Sequence, residues 1–443
     1  MKIEIKNILK NPEKLNSIYS LAGNVIYAIL GFLGIAIVVR AFNLDQYGKW
    51  IIYLTASSLL EMMRQGFMHT ALVRFTSDNN LNAKNQYIAG GWVIGLSFTI
   101  ISSVLIYSIF LMLHFNNITT SYEYFLKYYP LLSIAGLPFT ISQSILQASS
   151  KFLTLLILKT LNMLMALSVY ILCYYYKFSV ELLVALHITV NLISSLIAIT
   201  LNISGISKLS HFEKTKFWEL IHFGKYSFGT LIGTNLLKSS DTFIIGLVAG
   251  SQTAALYSIP LKLTETFEIL LRSMVSVAMP KLSSFSLNNE KNKVKELFQK
   301  LSGILTLIYL PIMIICFLLS DHLILFLGGK EYLQTSDIFK VFCIYGLILP
   351  VDRFTGITLD CINLPKYNFY KVCIMITVNV ILDLAILHLN LPLKYVAFAT
   401  FLTTLTGCYF GIKYLNLNFK TSFKDIILSG WVHSKRIGLK SMN

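Results

Sequence analysis

No polar stretch of this chain is long enough to fold as a separate soluble domain. Charged residues make up only 13% of its 443 residues, against a hydrophobic share of 55% and a mean hydropathy of +0.66. Such a balance is far outside that of water-soluble domains. Also missing is any glycine-rich phosphate loop, which excludes ATP hydrolysis by this chain. There is no HExxH or GxSxG motif and no metal-ligand cluster, so no catalytic residue, metal site or cofactor is expected. The longest connections on one side of the expected spans, 114–124 and 320–333, are too short to carry the acid–base groups of a membrane-embedded polymerase or glycosyltransferase. Six cysteines are scattered (Cys173, Cys316, Cys343, Cys361, Cys373 and Cys408), without CxxC or zinc spacing, and read as small apolar core residues. The N-terminal segment MKIEIKNILKNPEKLNS has no apolar region followed by a small-residue cleavage site. No cleaved signal peptide is therefore expected, and the first span acts as its own signal. The sequons at Asn117 and Asn202 are of a kind common by chance.

What the chain has is apolar length. A bilayer core takes about 20 apolar residues per helix, and twelve such stretches follow one another: 17–40, 50–74, 87–114, 125–148, 152–176, 179–203, 221–249, 254–280, 301–320, 334–358, 367–388 and 393–415. The formal charge of +16 is not spread evenly over their connections. With the N-terminus placed in the cytoplasm, that side holds 23 of the 37 Lys and Arg, and the other side six. The cytoplasmic set includes Lys208, Lys214, Lys216, Lys291, Lys293, Lys295, Lys420 and Lys424; the opposite set is Arg40, Lys49, Lys127, Lys177, Lys330 and Lys394. The asymmetry predicts both termini in the cytoplasm. It accounts for the basic excess as a topology signal with some attraction to anionic lipids, so no nucleic-acid partner is expected.

The sixth and seventh spans are separated by SGISKLSHFEKTKFWEL, 204–220, with apolar residues at roughly helical spacing. It predicts an amphipathic surface helix, and the basic, Trp-bearing segment after Asn416 reads the same way. The expected division is a six-helix bundle over 1–203, a cytoplasmic linker over 204–220, a second six-helix bundle over 221–415 and a basic cytoplasmic tail over 416–443. The halves show a faint repeat. Arg40-Ala-Phe-Asn-Leu-Asp-Gln-Tyr47-Gly48 closes span one, and Gly250-Ser-Gln-Thr-Ala-Ala-Leu-Tyr257-Ser258 closes span seven. Each Tyr leads into a helix with interior charges. Transporters are often built from such repeats. The pairs Gly91/Gly95, Gly229/Gly233 and Gly246/Gly250 have helix-packing spacing, and Pro138, Pro311 and Pro350 are potential kinks.

A charge at the middle of a membrane helix costs about 2.5–3.5 kcal/mol on insertion scales, yet this chain carries many. Span two has Glu61, Arg64, Gln65 and His69 in line with Ser57 and Ser58. Span five has Lys159 with Asn162, span seven Lys238 and Asp241, and span eight Lys262, Glu265, Glu268 and Arg272 on one face. Span ten has Asp352 and Arg353, and span eleven Asn379 and Asp383. Lys238–Asp241, Lys262–Glu265 and Glu268–Arg272 have the spacing of local ion pairs that merely make burial tolerable. Taken together, two stripes in equivalent helices predict instead a wet central cavity for a charged substrate. Arg64, Lys159 and Arg272 are its expected anion contacts, since Arg holds phosphate bidentately.

Three segments carry a family resemblance. Phe223 to Pro260, FGKYSFGTLIGTNLLKSSDTFIIGLVAGSQTAALYSIP, resembles the seventh span of the polysaccharide flippases of the multidrug/oligosaccharidyl-lipid/polysaccharide exporter superfamily. Val38 to Trp50 is similar to the end of their first span, and Leu325 to Tyr332 to their segment after span nine. The resemblance implies an all-α polytopic membrane protein of about twelve transmembrane helices, in two six-helix bundles around a central cavity. It implies a flippase, not an enzyme, in the bacterial plasma (inner) membrane, working by alternating access. Its substrate would be an undecaprenyl-diphosphate-linked oligosaccharide for O-antigen, capsule or exopolysaccharide. Its partners would be that lipid-linked oligosaccharide, membrane lipids and polysaccharide polymerase machinery. The alternatives are a small-molecule or drug antiporter of the same fold, or a membrane-embedded enzyme of surface-glycan assembly. Drug antiporters of the superfamily often carry an acid in span one; Ser17 to Val39 has none.

Overall fold

The computed structural model describes residues 12–76, 81–149 and 151–440, and all regular structure among them is helical. Six long helices come first: α1 (Pro12–Ala41), α2 (Leu44–Thr76), α3 (Leu81–Phe115), α4 (Glu123–Ala148), α5 (Phe152–Tyr176) and α6 (Val180–Thr200). A 3-10 turn, Ile206–His211, leads into α7 (Lys214–Val248) and α8 (Gly250–Leu287). Then follow α9 (Lys291–Leu318), the short α10 (Ser320–Gly328), a second 3-10 turn (Lys330–Thr335), α11 (Ser336–Cys361), α12 (Pro365–His388), α13 (Lys394–Leu415) and α14 (Phe423–Lys440). Each of the twelve expected spans lies on one of the long helices, which makes this an all-α polytopic membrane protein. Seven described helices, α3 to α6, α9, α12 and α13, are long and apolar enough to cross a bilayer on composition alone. Outside that set, α2, α7, α8 and α11 are the helices that hold most of the interior charges.

The chain divides into two compact units. Among the described residues, the first runs to Asn235 and takes in Gly250–Ala255; the second takes in Leu236–Ala249 and everything from Leu256 on. The first core lies between α2, α3 and α4, where Met68, Leu72, Ile88, Trp92, Leu137 and Ile141 are buried together. Gly91 and Gly95 are in line with this: a Cβ at either would run into Leu72, or into Leu137 and Met68. Gly250 has another use, a turn at φ 82° with open space around its Cα, while Gly229 and the 223–226 lead-in lie outside the described side chains, as do His69 and residues 1–11. Phe139, Leu146, Leu155 and Leu158 join α4 to α5. Beside Pro138, Ser195 of α6 donates to Ala135 O (2.5 Å) and accepts from Phe139 N (3.2 Å). A neighbouring hydroxyl thus satisfies backbone groups next to a helix-interior proline. On α3, Ile100, Ile101, Val104 and Leu105 are each 60–61% exposed, a face suited to lipid tails.

Segment 204–220 does not form one continuous surface helix. Gly205, at φ 65°, turns the chain out of α6, and Trp92 Nε1 donates to Ser204 O at 3.0 Å. Residues 206–211 form the 3-10 turn and α7 begins at Lys214. Leu220 is buried with Tyr87 and Ile94, and Phe217 packs there, while Ile206, Phe212 and Trp218 stay exposed.

In the second unit the segment after Asn416 is more than a tail. Ser422 and Asp425 form a reciprocal N-terminal cap: Ser422 N donates to Asp425 Oδ2 (2.9 Å), and Asp425 N to Ser422 Oγ (3.2 Å). The helix so started, α14, packs along α9. Gly303 and Gly430 bring the two backbones so close that a Cβ on either would strike the other's main chain. Gln299 Nε2 donates to Thr421 Oγ1 at 2.9 Å, and Ile426 is fully buried.

Candidate functional site

The interior charges sort into two kinds. In the first unit, Arg64 is fully buried between α2, α3 and α4. One terminal nitrogen donates to Thr99 Oγ1 (2.9 Å) and to Ser133 O (2.7 Å). The other is bound to Glu61, one helical turn away, and reaches Thr140 Oγ1 at 3.4 Å. Arg64 is thereby withdrawn from any open surface, while Glu61 is partly buried. Arg64, expected as a substrate-anion contact, has its fork engaged here with groups on α2, α3 and α4. Sequence spacing shows the Glu61 pair but not the hydroxyls on α3 and α4 that complete the socket. Lys159, on α5, is partly buried; its near neighbour Asn162 donates to Ser194 Oγ at 2.9 Å.

The second unit holds a different arrangement. Glu268 of α8 receives three cations. Lys238 of α7 reaches Oε2 at 2.5 Å, Arg272 of α8 reaches the same oxygen at 2.8 Å, and Arg353 of α11 reaches Oε1 at 2.6 Å. The carboxylate is nearly buried, at 11%, while the side chains of Lys238, Arg353 and Arg272 are 37%, 31% and 69% exposed. One anion therefore organises three cations whose outer faces stay open. The formal surplus is two positive charges. Lys238 has the spacing to pair with Asp241 three residues on. It turns instead to Glu268, because Asp241 lies on the buried side of α7 and is taken by other partners. Lys262 and Glu265 do form the local pair their spacing suggests, at 2.7 Å, with Glu265 mostly exposed. Arg353 is the member whose role sequence reading missed. It stands next to Asp352 in the chain, but Asp352 pairs with Lys371 of α12 (2.7 Å) and leaves Arg353 to Glu268.

Behind this cluster lies a buried acidic group. Asp241 accepts from Tyr257 OH (2.5 Å), Asn379 Nδ2 (2.7 Å) and Thr400 Oγ1 (2.8 Å). Asn379 also donates to Asp383 Oδ2 at 2.8 Å. Asp241 is 3% exposed, and Asn379 and Asp383 are fully buried; Asn379 Oδ1 and Asp383 Oδ1 have no hydrogen-bond partner among the described residues. Two carboxylates bridged by one amide in a dry site call for something positive between them. A proton or a monovalent cation with oxygen ligands meets that need. No group of three or more His, Cys, Asp or Glu suited to a multivalent metal occurs among the described residues. Asn379 and Asp383, four apart on α12, were visible as an intramembrane pair. Their convergence with Asp241, Tyr257 and Thr400 depends on packing between helices distant in sequence.

The fold and the charged groups on interior helix faces define a polytopic all-α membrane protein, and comparison with known proteins narrows its class. A family described as "Polysaccharide biosynthesis protein" matches residues 37–337, more than half of the chain, and the protein belongs to that family. No curated protein sequence matches it. Among solved structures, the lipid II flippase MurJ in an inward closed conformation shares the fold with a TM-score of 0.73 at 17% identity, over 96% of this chain and 92% of that one. An inward-facing multidrug resistance MATE family transporter of the MOP superfamily gives 0.73 at 11% identity, over 89% and 96%. A MOP superfamily transporter from Pyrococcus furiosus gives 0.63 at 12%, over 94% and 98%. At these identities the likeness establishes the fold alone.

The two kinds of charge differ in what removal does. Arg64→Leu leaves Glu61 without its cation and is expected to lower stability by about 3–5 kcal/mol. Arg272→Leu removes a largely exposed partner and is expected to cost less than about 1 kcal/mol. Unfolding of the purified variants in detergent measures both; equal losses would contradict the distinction.

Proposed function

We propose that this protein is a flippase that carries a lipid-linked oligosaccharide with an anionic diphosphate from the cytoplasmic to the outer leaflet of the bacterial plasma membrane. It serves assembly of a surface polysaccharide such as O-antigen, capsule or exopolysaccharide. The observation that carries the reading is the open cationic cluster of Lys238, Arg353 and Arg272 around Glu268. A diphosphate does not cross hydrocarbon bare. It needs charge-assisted hydrogen bonds in a wet place while the lipid tail stays in the bilayer. A carrier must also let go, and a carboxylate already satisfying each cation lets the anion compete for them without being trapped. Family membership supports the pathway, and the shared fold supports carriage by alternating access. A cationic-drug antiporter fits less well, because the surplus at this cluster is positive. The proposed substrate pathway is Lys238, Arg353 and Arg272 with Glu268, flanked by Lys262 and Glu265; Lys159 is the available cation of the first unit. Asp241 and Asp383 are assigned the counter-ion whose uptake or release drives the cycle.

Arg353→Gln leaves Glu268 with two cations and is expected to fold. In a strain that depends on this gene, it should cut surface polysaccharide at least about tenfold, the effect of losing one charge-assisted bond. Normal export by a stably made variant would remove the cluster from the pathway. Asp383→Asn relieves the buried acidic pair and should leave the protein folded while export no longer responds to the proton or sodium gradient. A response equal to the parent's would take Asp241 and Asp383 out of the cycle.

A further inference from the structure

Helix α14 has one face docked on α9 and one exposed. Ile426, Gly430 and His433, spaced by four and three, lie toward α9: Ile426 is fully buried, Gly430 meets Gly303, and His433 Nε2 is 4.0 Å from Glu296. A second row, Leu428, Trp431 and Val432, is 51%, 53% and 47% exposed. Phe423 and Leu417, in the approach to the helix, are exposed as well. Three or four residues apart on a helix is one face, so these side chains form a continuous apolar strip and not scattered exceptions. Basic residues accompany it. Lys413, Lys420 and Lys424 are all exposed, and Lys435, Arg436 and Lys440 follow in the sequence. Asp425 is the one acid between Leu415 and the end of the chain, and it is used in the cap with Ser422.

We propose that α14 is an interfacial helix: it lies at the bilayer surface with Leu428, Trp431 and Val432 inserted at the headgroup–acyl boundary, and its lysines bind anionic phospholipid headgroups. Three observations select a lipid surface as the occupant. First, α13 is an apolar span that ends at Leu415, and only seven residues separate it from α14 at Phe423, so the helix starts beside the membrane boundary. Second, a strip of Leu, Trp and Val bordered by lysines matches the interface, where an indole sits at headgroup depth and Lys reaches back to phosphate. Third, the Gly303–Gly430 approach and the buried Ile426 clamp the docked face to α9, which prevents the helix from burying the strip by rolling over. Lipid contact at α14 thereby bears on α9 directly. The proposal rests on the chain being a membrane protein and not on what it transports.

The test uses the full-length protein carrying Trp218→Phe, which removes the other exposed indole, in nanodiscs with acyl chains brominated near the headgroup. The Trp431 component is obtained by difference from the same protein with Trp431→Phe. Bromolipid is expected to quench that component roughly twofold or more, as for an indole at the interface. Quenching should be stronger with phosphatidylglycerol than with phosphatidylcholine alone, and Lys420→Gln with Lys424→Gln should abolish the difference. A component untouched by bromolipid overturns the proposal. Quenching by aqueous iodide would then mean that the strip faces water; protection from both quenchers would mean that a second protein copy covers it. Equal quenching in the two lipids overturns the anionic-headgroup part.

Discussion

Unpaired charge is unstable in hydrocarbon, and the interior of this protein is arranged around that constraint. Each ionisable side chain in a span must be neutralised by a partner, given access to water, or both. Arg64 takes the first course. Its guanidinium is divided among a carboxylate, a backbone carbonyl and hydroxyls from neighbouring helices, so a charge becomes a structural bolt within the first unit. Glu268 takes the mixed course, itself nearly buried but holding three cations whose outer sides stay open. The Asp241–Asp383 pair is left incomplete, with Asn379 Oδ1 and Asp383 Oδ1 lacking a hydrogen-bond partner among the described residues, and on this rests the proposal that it responds to an ion or proton.

These three solutions give each cluster a different part. A largely enclosed pair tied to neighbouring helices contributes rigidity. A cationic set held by a single acid is already neutral enough to fold, and it can exchange its internal partner for an external anion at small cost. An acidic pair that lacks a positive partner changes state when one arrives. The second unit contains the last two within a framework of α7, α8, α11, α12 and α13, and Lys238 and Asp241 are only three residues apart on α7, so the proposed anion binding and ion uptake would share helices. This gives a physical route by which occupancy of one alters the other.

Much of the architecture was legible in the sequence because hydrophobic length and lysine distribution are local properties. All twelve spans fall on long helices, and the interior charges of α2, α7, α8 and α11 were evident as such. Partner choice was not legible. Lys238 is three residues from Asp241 yet binds Glu268 thirty residues away; Arg353 adjoins Asp352 yet binds Glu268 as well. Helical spacing reveals only partners on the same helix, whereas burial decides which of them remains available. Arg64 was equally plausible as a substrate contact until its enclosure by Thr99, Ser133 and Thr140 was seen. The tail after Asn416 had the composition of a surface helix, but its docking depends on Gly303 more than a hundred residues earlier, which no local pattern discloses.

The central claim is that the chain moves a lipid-linked glycan diphosphate across a bilayer. The most direct measurement reconstitutes the purified protein in liposomes loaded on one leaflet with a diphosphate-linked oligosaccharide on a polyprenyl carrier. An impermeant glycan-trimming enzyme added to the other side reports arrival. The account predicts time-dependent exposure of the glycan well above that in protein-free liposomes, with little movement of a matched lipid lacking the phosphates. Folded protein that exposes no more glycan than empty liposomes, or that moves the phosphate-free lipid equally well, would contradict it.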